Sequence, residues 1–185
     1  MKRILVMLFG MMFVCAIPLM ANATSIYQVI GAEDISWDNA RAGAQALGPG
    51  WDLASITSAA EQVIVDAALA AFDPNPVNRD EFWIGGYRNS GEPWGLWVSG
   101  EAWGYTNWWS TEPNAIGGNE QHLAEDWRVP GFAGNSGPAG AWKWNDEGSQ
   151  VSNIKGYVAE NVPEPTTMLL LGLGLLGVAG IRRKS

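Results

Sequence analysis

The chain has 185 residues, a formal net charge of −8, a single cysteine and 11 tryptophans. Between Thr24 and Asn161 lie 18 of its 19 Asp and Glu residues but only 6 of its 11 Lys and Arg residues. This acidic excess argues against nucleic acid or an anionic membrane surface as a partner, because both require a positively charged patch.

Residues 1–23 have the pattern of a secretory signal peptide. Lys2 and Arg3 precede an apolar run over residues 4–20, and Ala21-Asn22-Ala23 is a small-residue cleavage site. The alternative is an N-terminal membrane anchor, but no stop-transfer pattern follows the run. The only cysteine, Cys15, lies in this segment, so we expect the exported chain to contain neither a disulfide nor a reactive thiol.

Residues 24–160 are long enough for one domain, and two helices are predicted in its first half. The first helix is expected over residues 37–47, with Ser36 as its N-cap. The second helix is expected to begin after Thr57 or Ser58 and to end near Ala71.

Short strands are predicted on both sides of a long irregular segment. They are expected over residues 25–30, 53–56, 82–85, 141–145 and 156–160. Between Asn89 and Ala141 the chain is rich in Gly, Pro, Asn and Trp and shows no regular period. A loop of that length usually has a function, and a bound cation would order backbone that no strand pairing holds.

Two clusters of acidic and amide residues flank Glu120 in or near this segment. They are Glu112-Pro113-Asn114 and Asn145-Asp146. Their oxygen atoms suit a hard cation such as calcium, which takes roughly 6–8 oxygen ligands. Calcium can accept one lone pair of a sugar hydroxyl, while an amide donates to the other lone pair and a carboxylate accepts the proton. The pattern therefore predicts a carbohydrate site built around a metal ion.

Motifs in the order found in C-type lectin-like domains cover nearly all of residues 25–160, and the chain resembles that family. They are Ser36-Trp37 with Ala40, Leu53-Ala54-Ser55-Ile56, Trp83-Ile84-Gly85-Gly86, Glu112-Pro113-Asn114, Trp144-Asn145-Asp146 and Gly156-Tyr157-Val158-Ala159-Glu160. The resemblance implies an α+β double-loop fold with two helices, two small antiparallel sheets and a long calcium-binding loop.

The resemblance also implies a site. Calcium would be held by Glu112, Asn114, Glu120, Asn145 and Asp146, and all of these except Asp146 would also contact the sugar. Pro113 is expected to follow a cis peptide bond, and the Glu-Pro-Asn order implies mannose, glucose, N-acetylglucosamine or fucose before galactose. The two disulfides of the family would fall at Ala44 with Ala159 and at His122 with Ser149, so the loop is expected to depend more on the metal.

Residues 161–185 form a third segment. Pro163-Glu164-Pro165 is followed by an apolar stretch over residues 168–181 and then by Arg182-Arg183-Lys184. A simple transmembrane anchor is the alternative, but the stretch is shorter than the roughly 20 residues of a helical span. The order of parts resembles the PEP-CTERM sorting signal of Gram-negative bacteria. This implies transient inner-membrane anchoring, cleavage by an exosortase, and release to the cell surface or the extracellular medium.

Three functions are compatible with these residues. The favoured one is an exported calcium-dependent lectin that binds carbohydrate or exopolysaccharide. A non-enzymatic adhesion or matrix protein could use the same fold to bind protein. A hydrolase could use Glu112, Glu120 or Asp146 as acid and base, but carboxylates bound to calcium do not titrate freely and no catalytic triad or zinc motif is present. We therefore expect no enzymatic activity.

Other side chains are assigned by their surroundings in the sequence. Most tryptophans are expected in the core, above all Trp37, Trp83 and Trp144, while Trp109 or Trp127 is a candidate to stack on a sugar. Glu125 and Asp126 are expected to be solvated or to pair with Arg128.

Overall fold

The computed structural model describes residues 25–149 and 152–162, and these residues form two helices and seven strands. The elements in chain order are β1 (Ile26–Gly31), α1 (Trp37–Gln45), β2 (Trp51–Leu53), α2 (Ala59–Phe72), β3 (Glu81–Tyr87), β4 (Leu96–Trp97), β5 (His122–Arg128), β6 (Ala141–Glu147) and β7 (Ile154–Asn161), with a 3-10 turn at Ile116–Gly118. The expected α+β class is confirmed.

Both helices begin where the sequence predicts, because a serine caps each N-terminus. Ser36 accepts from the backbone N–H of Asn39 at 3.4 Å, and Ser58 accepts from that of Glu61 at 3.2 Å. The Glu61 carboxylate in turn accepts from the backbone N–H of Thr57 at 2.7 Å. Reciprocal hydrogen bonds therefore fix the backbone at the start of α2.

One hydrogen-bonded network joins the seven strands of the described residues in the order β1-β7-β3-β5-β6, with β2 on β7 and β4 on β3. The two small antiparallel sheets of the expectation are present, but they are not separate. The first half of β7 pairs in parallel with β3, and its second half pairs antiparallel with β2. The long strand β7 thus merges them into one mixed sheet.

Strand β5 is the largest departure from the sequence prediction, because His122–Arg128 lies inside the segment expected to be a loop. It pairs with β3 on one side and β6 on the other. Glu125 and Asp126 are fully buried in it, so the expectation that they are solvated is wrong. Asp126 does pair with Arg128, at 2.6 Å. Buried acids interrupt the apolar period by which strands are recognised.

Trp144 is the centre of the aromatic core. Trp144 and Trp83 are fully buried and Trp37 is nearly so, as the sequence predicts for all three. The ring of Trp144 lies 5.5–5.7 Å from four aromatic rings of the long segment between β3 and β5, namely Trp97, Trp103, Tyr105 and Trp108. These edge-on and tilted contacts pack the segment onto β6 without a disulfide.

A buried carboxyl group lies beside the Trp144 ring. Glu125 accepts hydrogen bonds from Gln62 Nε2 at 2.8 Å and from Trp144 Nε1 at 3.0 Å. Burial, and then the charge of Asp66, raise the pKa of Glu125 from its ordinary 4.5 to about 8. Glu125 is therefore protonated in the folded protein at neutral pH.

Glu125→Gln should flatten the dependence of stability on pH. The folded state holds the Glu125 proton more tightly than the unfolded state, so its stabilisation is complete below about pH 4.5 and is lost as the pH rises through about 8. The difference in unfolding free energy between variant and parent should shift in favour of the variant by about 1.4 kcal/mol per pH unit in this window. Urea unfolding between pH 5 and 8 measures it.

The exposed Glu92→Gln serves as the control for this experiment. Its stability should follow that of the parent at every pH. Parallel curves for Glu125→Gln and the parent would mean that Glu125 is ionised in the folded protein.

Candidate calcium and carbohydrate site

The segment that carries Glu112, Asn114 and Glu120 is fixed to the sheet beside Trp144. The backbone N–H of Trp144 donates to the Asn107 carbonyl at 2.8 Å, and the backbone N–H of Trp109 donates to the backbone carbonyl of Trp144 at 3.1 Å. These bonds bring the segment next to Asn145 and Asp146 on β6. The Glu112–Pro113 peptide is cis, as the resemblance implies.

Asp146 organises the turn that follows Pro113. Its two carboxylate oxygens accept from the backbone N–H groups of Asn114 and Ala115, each at 3.0 Å. Ala115 has a left-handed conformation (φ 51°), which is uncommon for a residue with a Cβ atom. Glu120 accepts from the next N–H, that of Ile116, at 2.6 Å. Two predicted ligands thus hold the backbone of this turn.

Glu112 lies beside Asn114 and is largely buried. One of its carboxylate oxygens accepts from the side-chain amide of Asn114, and the other accepts from Arg128 Nη2 at 2.8 Å. The side-chain carbonyl oxygen of Asn114 accepts from the backbone N–H of Ile116 at 3.0 Å. Glu112, Asn114, Glu120 and Asp146 are therefore linked by hydrogen bonds through one short stretch of backbone.

Asn145 has different partners. Consecutive side chains of a strand point to opposite faces, and the amide of Asn145 donates to Glu147 at 2.7 Å and to Glu81 at 3.3 Å. Its carbonyl oxygen accepts from Arg128 Nη2 at 3.2 Å. Asn145 is therefore connected to the other predicted ligands through Arg128, by way of Glu112.

The carboxylates of the site lie in buried or half-buried positions. Burial, and then the charges of Asp146, Glu147 and Glu112, raise the pKa of Glu120 to about 7, against the lowering effect of the hydrogen bond from the Ile116 N–H. Burial is also the main cause of the raised pKa of Asp146, to which the charge of Glu112 adds. The surroundings of the turn therefore disfavour the charged forms of Glu120 and Asp146.

The donor set fits calcium in type and charge, since it combines three carboxylates with two carboxamides. In the described residues, however, no three His, Cys, Asp or Glu side chains form a group arranged to hold a metal ion. The oxygens are instead hydrogen-bonded to N–H groups of the turn and of Arg128, as given above.

Trp109 is not available to stack on a sugar, contrary to one expectation. It is 2% exposed, and its indole N–H donates to the Asp126 carbonyl at 3.0 Å. Arg128 and Lys143 each lie 5.4 Å from its ring centroid. The ring of Trp127 lies 5.3 Å from that of Trp142 and is half-buried.

Arg128 is the residue of this site that the sequence analysis did not assign to it. Its buried guanidinium touches Glu112 and Asn145, whereas the sequence predicted only a pair with an adjacent acid. No signal in the sequence separated Arg128 from Arg41, Arg79 and Arg88, because its partners come from other parts of the chain.

The architecture is similar to that of several solved structures. The chain is similar to the C-type lectin CEL-I from Cucumaria echinata (23% identity, 74% of this chain and 89% of that one, TM-score 0.57). It is also similar to the C-type lectin domain of murine dendritic cell inhibitory receptor 2, solved in complex with N-glycan (19%, 74% and 90%, 0.55), and to the mouse scavenger receptor C-type lectin carbohydrate-recognition domain (22%, 80% and 98%, 0.53). The described domain has the C-type lectin-like fold.

The C-terminal segment has its own match. The PEP-CTERM protein-sorting motif matches residues 161–184, which implies export, recognition by an exosortase and processing at the cell envelope. No curated protein matches the chain in sequence. Neither helix in the described part of the chain has the length and apolar composition of a membrane span, and both residues 1–23 and the apolar stretch at 168–181 lie outside that part.

Proposed function

We propose that this chain is an exported, non-enzymatic, calcium-dependent carbohydrate-binding protein with mannose-type specificity. One observation carries the proposal. In a C-type lectin-like fold, Glu112, Asn114, Glu120 and Asp146 are linked by hydrogen bonds to one another and to the backbone of the turn at 114–116.

The roles of the residues follow from their chemistry. Glu112, Asn114, Glu120 and Asp146 would hold the calcium ion, with Asn145 as the fifth ligand. A bound calcium ion would supply two coordination positions for neighbouring sugar hydroxyls. The amides of Asn114 and Asn145 would donate to those hydroxyls, and the carboxylates of Glu112 and Glu120 would accept from them.

The sorting motif supports the rest of the proposal. Recognition by an exosortase would follow transient anchoring in the inner membrane and would release the domain to the cell surface or beyond. An extracellular polysaccharide is the partner we propose there, because the acidic domain is suited neither to nucleic acid nor to an anionic lipid surface.

A glycan array probed with the parent and with Asn114→Asp tests this function. The parent should retain mannose-type glycans in calcium and lose them in chelator, while galactose is not retained. Asn114→Asp exchanges an amide donor for a carboxylate, so hydroxyl recognition should be abolished or switched. Asn119→Asp, the same change at an exposed position of the same segment, should bind as the parent does.

Three other outcomes would argue against the proposal. Glycan retention that persists in chelator would remove the calcium requirement. Adhesion to protein that survives in Asn114→Asp, without any glycan signal, would favour a protein-binding matrix role. Accumulation of a cleaved glycan would show turnover and therefore an enzyme.

A further inference from the structure

Arg128 is the most completely bonded side chain of the candidate site. A guanidinium has five N–H donors, and Arg128, which is 1% exposed, makes five hydrogen bonds. The acceptors are Asp126 at 2.6 Å, Thr111 at 2.9 Å, the Ala133 carbonyl at 2.7 Å, Glu112 at 2.8 Å and Asn145 at 3.2 Å. The group is therefore fixed in position and orientation.

These five bonds join separate parts of the chain. Asp126 belongs to β5, Asn145 to β6, Ala133 to the connection between those strands, and Thr111 and Glu112 to the segment before the turn. The faces of Trp109 and Phe132 lie 5.4 and 6.0 Å from the guanidinium carbon. Arg128 thus ties the segment that carries the predicted ligands to the sheet.

Two of the oxygens that Arg128 contacts belong to proposed ligands. Nη2 of Arg128 lies between the Glu112 carboxylate and the Asn145 carbonyl oxygen. Both residues belong to the proposed ligand set, one from the long segment and one from β6. A positive charge supplied by the chain itself therefore lies against oxygens that a bound cation would also attract.

We propose that Arg128 is a positioning residue, an internal cation that holds Glu112 and Asn145 in place without a metal ion. The chain has no disulfide to hold this segment, and buried acids are stable as ions only when they are paired. It follows that calcium and Arg128 share the same oxygens, and this part of the inference rests on the proposed function.

Arg79 is the comparison that separates positioning from ordinary ion pairing. It bonds the buried carboxylates of Glu81 and Glu147 at 2.8 and 2.7 Å, so it resembles Arg128 in charge and in the burial of its partners. It makes no hydrogen bond to a proposed ligand, although both of its carboxylate partners also accept from the Asn145 amide. A variant at Arg79 should lower stability without loosening the turn at 114–116.

The test compares Arg128→Met, Arg128→Lys and Arg79→Gln in the full chain, by thermal unfolding and by hydrogen exchange of residues 107–116. In EDTA, Arg128→Met should lower the Tm by about 10 °C. The same variant should speed exchange in the segment about tenfold or more. Lysine keeps the charge but lacks the planar fork, so Arg128→Lys should lie between Arg128→Met and the parent.

Millimolar calcium should then raise the Tm of Arg128→Met more than that of the parent or of Arg79→Gln, because the ion replaces the missing charge. Exchange in EDTA that equals the parent's would overturn the positioning role, whatever calcium does. A loosened segment that calcium does not restore would support the positioning role and count against the proposed calcium site. If Arg128→Met fails to fold, the same comparisons with Arg128→Lys decide.

Discussion

Replacing Asp146 with asparagine should abolish glycan binding while leaving most of the fold in place. Both oxygens of Asp146 accept backbone N–H groups, from Asn114 and Ala115, and the side chain is almost fully buried. The new amide would direct its own N–H toward one of those donors and would also remove a charge from the proposed ligand set. We expect a loss of affinity of about a hundredfold or more, measured by titration with a mannose-type glycan in calcium.

The stability of this variant should fall by about the contribution of one hydrogen bond, so the protein should still fold. Hydrogen bonds to a charged group contribute about 1.5–3 kcal/mol each, and asparagine can keep one of the two. Asp73→Asn is the matched control, since Asp73 also accepts a backbone N–H, from Asn75 at 3.3 Å, in a loop that carries none of the proposed ligands. Unchanged glycan affinity in Asp146→Asn would exclude Asp146 from the site.

Replacing Trp144 with alanine should cause the largest loss of stability, about 3–5 kcal/mol, because it opens a cavity in the centre of the core. Four aromatic rings of the long segment would lose their shared neighbour, and the Trp144 indole N–H bonds to Gln62 and Glu125 would be lost. Urea unfolding measures the loss, and hydrogen exchange should show the long segment opening first.

Two further variants interpret that result. Trp51→Ala removes the same side chain from the short strand β2, where it is only partly buried, and should be less costly. Trp144→Phe keeps an aromatic ring but not the N–H group, so it separates packing from hydrogen bonding. A Trp144→Ala protein as stable as Trp51→Ala would mean that the aromatic cluster does not hold the segment.

The elements with local signals could be predicted from the sequence. Serine caps marked the starts of α1 and α2, and apolar runs marked most strands near their observed positions. Strand β5 could not be found in this way, because its buried Glu125 and Asp126 are stabilised by Gln62, Trp144 and Arg128, which lie elsewhere in the chain or depend on the sheet. Long-range pairing, and not local composition, makes that segment a strand.

The site could be predicted only in part for a similar reason. Motif order identified Glu112, Asn114, Glu120, Asn145 and Asp146 as candidates, and their role in binding stays a prediction. The sequence could not show that Asn145 and Asp146 have different partners, because this depends on the face to which each residue of β6 points. Nor could it show the position of Arg128, which results from the pairing of β5 with β6.

The pairing of Ile26 with Asn161 determines where the sorting motif joins the domain. The described chain begins and ends on neighbouring strands, while β6 is three positions from β7 in the sheet, roughly 14 Å at the usual strand spacing. The chain therefore leaves the described domain at the β1–β7 side of the sheet, whereas Asp146 lies on β6 at the other end of the strand order. A partner bound at Asp146 would therefore approach a different edge of the sheet from the one at which the sorting motif joins the domain.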